Sequence, residues 1–217
     1  MSIALIPVKG LEQSKSRLLP RLPDERRQAL TLAMLADLVE ALVATSGLDR
    51  IAVTTPDEVV AALARSAGAE ILMRPEPGLN AALEDGIERL QPADDEPFMI
   101  VLGDVAGALS SDFERLLSIA GESSEPGLWL VPSADGGTSA LLQRPAGSIP
   151  CRFGRDSAKR HREAAQAADV AYHEILLPSL AIDLDQPEDL EAFLETPHGG
   201  RRTRELLEDI MEEKSSE

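Results

Sequence analysis

Three acids and two groups of cations are the residues through which this chain can do chemistry. Gly103-Asp104 follows the apolar run from Phe98 to Leu102, so a carboxylate is aimed from a strand end. Later, Ala181-Ile182-Asp183-Leu184-Asp185 carries acids at i and i+2, which project from one face of an extended chain. One strand-end carboxylate plus such a pair is the oxygen set that Mg²⁺ accepts when phosphates and water complete its octahedron. Asp104, Asp183 and Asp185 are therefore candidate metal ligands. Asp185-Gln186-Pro187-Glu188-Asp189 reads equally as plain helix-start chemistry.

The first cations lie in Val8-Lys9-Gly10-Leu11-Glu12-Gln13-Ser14-Lys15-Ser16-Arg17-Leu18, directly after the opening apolar run. This is neither of the two commonest phosphate-loop fingerprints, GxGxxG or GxxxxGK followed by Ser or Thr. Lys9, Lys15 and Arg17 either hold a triphosphate by charge and bidentate guanidinium contacts or form a solvated basic loop. The second group lies in Phe153-Gly154-Arg155-Asp156-Ser157-Ala158-Lys159-Arg160-His161. There Asp156 or Ser157 caps a helix whose free amides, beside Arg155, Lys159 and Arg160, make a phosphate site or a solvated basic face. Asp135-Gly136-Gly137-Thr138-Ser139 is either an anion nest or an ordinary hairpin turn. His161 reads as a hydrogen-bonded orienting group, since no second His or Cys lies near it. Cys151, with no general base in sequence reach, reads as a buried bystander.

Composition sets the limits. The 217 residues carry 21 basic and 38 acidic side chains, a formal charge of −17, which disfavours a nucleic-acid partner, because that class needs a basic surface to release counterions. The charge is uneven. Residues Met1 to Arg27 hold six cations against three acids, and Cys151 to Arg162 five against one. Two basic islands in an acidic chain suit a small polyanionic ligand. No apolar run approaches the ~20 residues that a membrane-spanning helix needs, so no membrane partner is expected. The opening Ser2 to Val8 lacks a basic flank and a cleavage site, so a strand is expected there and no signal peptide. One cysteine excludes an internal disulfide and fits a reducing cytoplasm.

Positioning these residues requires an α/β fold. Apolar runs of strand length, Ile3 to Val8, Ile51 to Thr54, Glu70 to Met73, Phe98 to Leu102 and Leu128 to Val131, alternate with segments of helical period. The expected helices are Asp24 to Ala44, Asp57 to Ala67, Leu79 to Leu90 and Asp112 to Ala120. Beyond them come strands at Ala140 to Gln143, Tyr172 to Leu176 and Leu180 to Leu184, with helices at Asp156 to Ala168 and from Pro187. The pattern predicts one domain over residues 1–197 with a mostly parallel sheet, then a tail from His198 to Glu217 forming a loosely docked helix. In such sheets ligands bind beyond the carboxyl ends of the strands, which is where the candidate residues fall.

Taken in order, Ile6-Pro7-Val8-Lys9, Lys15-Ser16-Arg17-Leu18, Val53-Thr54-Thr55-Pro56-Asp57, Gly78-Leu79-Asn80-Ala81-Ala82-Leu83, Gly103-Asp104, Phe153-Gly154-Arg155-Asp156-Ser157 and Ile182-Asp183-Leu184-Asp185-Gln186-Pro187 resemble the phospholactate guanylyltransferase family (CofC/FbiD-like) of coenzyme F-420 biosynthesis. The resemblance implies a three-layer α/β/α sandwich of nucleotide-sugar-transferase type. It implies transfer of GMP from GTP to a phosphorylated three-carbon acid (2-phospholactate, phosphoenolpyruvate or 3-phosphoglycerate), with release of pyrophosphate. Its implied roles are nucleotide binding by Val8, Lys9, Lys15, Arg17 and Asn80, with Lys15, Arg17 and Asp104 catalytic. Acceptor binding falls to Thr138, Gly154 and Ser157, and Mg²⁺ to Asp104, Asp183 and Asp185. Two segments depart from the family: Val105-Ala106-Gly107 replaces an aliphatic residue and Pro, and Asp135-Gly136-Gly137-Thr138-Ser139 replaces Gly-Thr-Gly-Thr-Asn. A molybdopterin-type nucleotidyltransferase is the competing enzyme, although its Gly-rich first loop is missing. A silent nucleotide-binding module is the competing non-enzyme. The surplus acidity would also serve docking to the next enzyme of the pathway.

Overall fold

The computed structural model describes residues 1–18, 22–75, 78–196 and 199–215. The apolar runs of the first half are buried on both faces, the condition under which strands pair in parallel beneath covering helices. They alternate as β1 (Ile3–Pro7), α1 (Asp24–Val43), β2 (Arg50–Thr55), α2 (Glu58–Ser66), β3 (Glu70–Met73), α3 (Leu79–Leu90), β4 (Phe98–Val101) and α4 (Ser110–Glu122). Then β5 (Gly127–Pro132) turns back as β6 (Thr138–Arg144), followed by α5 (Ser157–Ala167), β7 (Ala171–Glu174), α6 (Pro187–Glu195) and α7 (Arg201–Ser215). The sheet order is β3-β2-β1-β4-β6-β5-β7, with β6 antiparallel to both neighbours.

Side-chain alternation assigns the helices to the two faces. Ala4, Ile6, Val53, Met99 and Val101 pack with Leu38 of α1, Val60 of α2 and Phe113 of α4. Ile3, Leu5, Ala52, Phe98 and Ile100 pack instead with Leu83 of α3 and Ala165 of α5. The result is the expected α/β/α sandwich. Its carboxyl rim gathers the ends of β1, β2, β3 and β4. Because β6 runs the other way, with Val101 opposite Ala140, its first residue Thr138 opens on that rim too.

The segment Leu180 to Leu184 is not a strand. Residues Pro178–Leu180 form a 3-10 turn, and Asp183 meets Val105 in one isolated bridge. The cause is topological: β6 already occupies the side of β4 away from β1, so the segment crosses the strand ends without a ladder. The amide of Ala134 donates to the Ala181 carbonyl at 3.1 Å, and that of Leu184 to the Asp104 carbonyl at 3.4 Å. Leu180 and Leu184, both fully buried, supply the alternation that resembled a strand.

The tail differs from expectation in how firmly it docks. The buried Asp37 carboxylate on α1 accepts the amides of Arg202 (3.1 Å) and Thr203 (2.9 Å), which caps α7 from another helix. A Cβ at Gly200 would collide with the Ala106 carbonyl, and its φ of +79° is left-handed, so only glycine suits the approach. Leu207 and Ile210 then join Leu18, Met34, Ala106 and Leu184 in a third apolar cluster. The expected domain boundary at Pro197 and His198 lies outside the described residues.

Candidate active site

The loop after β1 is held in place from two sides. Asp57 caps α2 through the amides of Val59 (2.9 Å) and Val60 (3.2 Å), and its second oxygen takes the Leu11 amide at 3.0 Å. From α1, the buried Arg27 donates to the Ser14 carbonyl and pairs with Asp24 at 2.7 Å, while Thr31 bonds Ser14 Oγ at 3.0 Å. Between these anchors Lys15 takes a left-handed backbone, φ 51°. That conformation is costly for a residue with a Cβ and persists only where the surroundings fix it. Its effect is to turn the side chain inward until only 6% is exposed.

Lys15 Nζ lies 3.4 Å from Asp104 Oδ2 and 3.3 Å from Asp185 Oδ1, and Arg17 reaches Asp185 Oδ2 at 2.8 Å. Two expected cations and two expected acids thus meet at the mouth of a cavity of about 330 Å³. Lys9 and Val8 line it as well, but the Val8 amide is engaged by the Thr54 carbonyl at 2.9 Å, so Val8 offers a wall and no free donor there. Burial, and then the neighbouring Asp104 and Asp135 carboxylates, push the Asp183 carboxyl up to about 6. Asp183 belongs to the same rim, yet among the described residues no three His, Cys, Asp or Glu side chains surround one point closely enough to hold an ion. The three expected ligands are therefore not preassembled, because Lys15 stands between two of them.

The expected acceptor residues form a separate group beyond β4. Ser157 Oγ donates to Thr138 Oγ1 at 2.9 Å, Thr138 Oγ1 lies 3.2 Å from His161 Nδ1, and the Arg152 amide donates to His161 Nε2 at 3.0 Å. His161 is fully buried, and burial, aided by Arg160 and Arg152, pushes its imidazole down to about 4. It is hydrogen-bonded at both ring nitrogens, as the sequence suggested. Gly154, at φ +115°, lies against the Arg160 guanidinium. The start of α5 is less free than expected: the amides of Ser157 and Ala158 donate to the carbonyls of Gly154 and Gly136, and Asp156 makes no side-chain cap. Asp135 turns into its own hairpin, bonded to Ser133 Oγ at 2.5 Å and the Gly137 amide at 2.9 Å, and these bonds hold its carboxyl below the usual range against burial.

Asn80 does not line the cavity. Its oxygen accepts the Phe153 amide at 2.8 Å and its nitrogen donates to the Phe153 carbonyl at 3.2 Å, so its amide clamps the acceptor segment to α3. The cavity wall toward β2 and β3 carries Thr54, Pro56, Arg74, Pro75 and Leu79 instead. Thr54 Oγ1 and Arg74 Nε are buried there without hydrogen-bond partners among the described residues. Both directly end or follow an apolar run, the strand-end signal that also marks Asp104. Cys151 is a buried free thiol pushed up to about 12, chiefly by burial, which fits a bystander. No helix of the described residues is long and apolar enough to cross a membrane.

A mostly parallel sheet whose rim presents an inward-turned lysine, paired acids and a cavity is equipped to move phosphoryl groups, and the chain is a nucleotidyltransferase. It belongs to the CofC-like guanylyl transferase family, whose profile matches residues 2–216. The chain is 35% identical over 195 residues to a 3-phospho-D-glycerate guanylyltransferase of Colwellia psychrerythraea, covering 89% of this chain and 92% of the relative. It is 40% identical over 197 residues to a phosphoenolpyruvate guanylyltransferase of Rubrobacter xylanophilus, covering 90% and 94%. In fold it is similar to a crystal structure described as a nucleotide-diphospho-sugar transferase from Desulfovibrio desulfuricans G20, with a TM-score of 0.77 at 15% identity over 96% and 95% of the two chains.

Nucleotidyltransferases generally use a divalent metal. The rim fits one: Asp104 Oδ1 is buried with no hydrogen-bond partner among the described residues, and Asp104 and Asp185 already share one cation.

Proposed function

We propose that this enzyme joins GMP from GTP to a phosphorylated three-carbon acid, with pyrophosphate leaving, as a step of coenzyme F-420 biosynthesis in the cytoplasm. The observation that carries the reading is the Lys15 ammonium held between Asp104 and Asp185 at the cavity mouth. Both reactants are anions, so the barrier falls through positioning and charge neutralisation, with no covalent nucleophile. Without ligand, the cations neutralise the acids. When GTP enters, Lys15 and Arg17 exchange their carboxylates for the β- and γ-phosphates and stabilise charge on the departing pyrophosphate.

The freed Asp104 and Asp185, with Asp183 beside them, would hold Mg²⁺, which when bound supplies Lewis-acid neutralisation of the α-phosphate. Lys9 adds charge at the entrance. The base lies toward β2 and β3, against Pro56, Pro75 and Leu79, where Thr54 and Arg74 offer unpaired polar atoms. Thr138 and the Gly154 backbone hold the acceptor phosphate, with Ser157 behind them donating to Thr138. One of its oxygens attacks the α-phosphorus in line, and the bond to the β-bridging oxygen breaks. No general base is needed, because a phosphate monoester is largely ionised at neutral pH.

The test is to incubate the protein with Mg²⁺, GTP and, separately, 2-phospholactate, phosphoenolpyruvate or 3-phosphoglycerate, and to measure pyrophosphate. Release with one of the three is expected and identifies the acceptor. Silence with all three sinks the reading.

A further inference from the structure

Beneath the acceptor side of the rim, the chain Arg152, His161, Thr138, Ser157 has a polarity that can be read from its fixed end. A backbone amide can only donate, and the Arg152 amide donates to His161 Nε2 at 3.0 Å. That nitrogen therefore carries a lone pair. In a neutral imidazole the single hydrogen then sits on Nδ1, which faces Thr138 Oγ1 at 3.2 Å. Complete burial keeps the ring neutral. Thr138 Oγ1 thus accepts from His161, and it also accepts from Ser157 Oγ at 2.9 Å. With Ser157 as the donor of that bond, two bonds fill the two lone pairs of the hydroxyl oxygen, and the hydrogen of Thr138 is left to be donated elsewhere. Among the described residues no acceptor takes it.

The upstream end of this relay is rigid. Asn80 holds the Phe153 backbone by both its amide groups, and the Phe153 ring meets the imidazole edge-on with centroids 4.9 Å apart. The Arg152 amide and the ring are therefore aimed before any ligand binds. On the ligand side, Arg160 Nε is buried without a partner while its guanidinium lies against Gly154. The same guanidinium donates to the Phe153 carbonyl at 3.3 Å, which ties it to the segment that Asn80 holds.

We infer that His161 is a positioning residue: by locking its own tautomer it makes Thr138 a one-way donor, aimed at an oxygen of the acceptor phosphate. This rests on the reading that the subsite of Thr138 and Gly154, backed by Ser157, holds the acceptor phosphate. Kinetics with the acceptor identified above, on the full chain, separates the two. Thr138→Val is expected to raise the acceptor KM about tenfold or more, the loss of a hydrogen bond to a charged group, with the GTP KM unchanged. His161→Gln retains an acceptor for the Arg152 amide but has no nitrogen at the Nδ1 position, and it is expected to raise the acceptor KM by a similar factor. His161→Asn places an amide nitrogen at the Nδ1 position and is expected to stay within about threefold of the parent.

Should Thr138→Val leave the acceptor KM unchanged, the subsite reading fails and this inference with it. Should Thr138→Val act while His161→Gln does not, or should Asn and Gln behave alike, the inference alone is overturned. Nitrogen-15 spectra of the parent protein give a variant-free check, since the chain has three histidines. An Nδ1-H ring with a bare Nε2 is expected for His161 at neutral pH, and an Nε2-H tautomer or an imidazolium overturns the inference.

Discussion

In the N-terminal basic island Lys15 and Arg27 are 6% and 3% exposed, whereas in the second island Arg155 and Lys159 are 95% and 74% exposed. Similar charge runs have been put to different uses. A buried cation must be paired, so these two cations of the first island are committed to partners: Lys15 to two carboxylates, Arg27 to Ser14 and Asp24. The second island leaves most of its charge in water and buries the neutral Ser157 and His161 against Thr138 of β6. A triphosphate whose leaving group gains charge needs paired charge that can be exchanged. On the proposed reading, a single acceptor phosphate is held by an aimed hydroxyl, with solvated cations acting only as a weak, salt-screened attraction.

Four variants, the last a double one, test that contrast. Asp104→Asn, which removes charge from the rim without changing shape, is expected to lower turnover by two orders of magnitude or more, roughly the scale of lost transition-state stabilisation at one key group. The melting temperature should stay near that of the parent, and near-normal turnover would reject the role of Asp104. Lys15→Ala is expected to weaken GTP binding about tenfold to a hundredfold in calorimetry while acceptor KM changes little. Equal GTP affinity would return Lys15 to a structural ion pair. Arg27→Met should cost about 2 kcal/mol in urea unfolding, because the Ser14 carbonyl loses its buried donor, and should raise the GTP KM. A variant as stable as the parent would mean that the loop holds itself. The pair Arg155→Ala and Lys159→Ala should change acceptor KM less than about twofold at physiological salt, and a tenfold rise would erase the distinction between the islands.

Much of this arrangement was legible before the structure. Strands buried on both faces announced themselves as unbroken apolar runs, and Asp104 was visible because Gly103-Asp104 ends one of them. Lys15, Arg17, Asp104 and Asp185 were named from charge and strand-end position, and they meet. What stayed hidden depends on which partner a polar group finds. An asparagine amide has the same donors and acceptors whether it meets a base or a backbone, so Asn80 was assigned to the nucleotide and proves to clamp Phe153. Leu180 and Leu184 have strand spacing, but only the sheet order reveals that no edge of β4 was left to pair with. Asp37 sits among the apolar residues of α1, and nothing nearby in sequence indicates that it caps a helix some 165 residues away.

The third apolar cluster gives the last helix a use as an instrument. Leu18 follows Arg17, Leu184 sits between Asp183 and Asp185, and Ala106 lies two residues after Asp104; all three share one cluster with Leu207 of α7. Any ligand that fixes Arg17, Asp104 and Asp185 therefore also deepens the well in which the tail rests. By linkage, amide hydrogens of α7 should exchange more slowly once the rim is loaded. Occupancy at the carboxyl rim would then be readable from the opposite end of the chain, without following turnover.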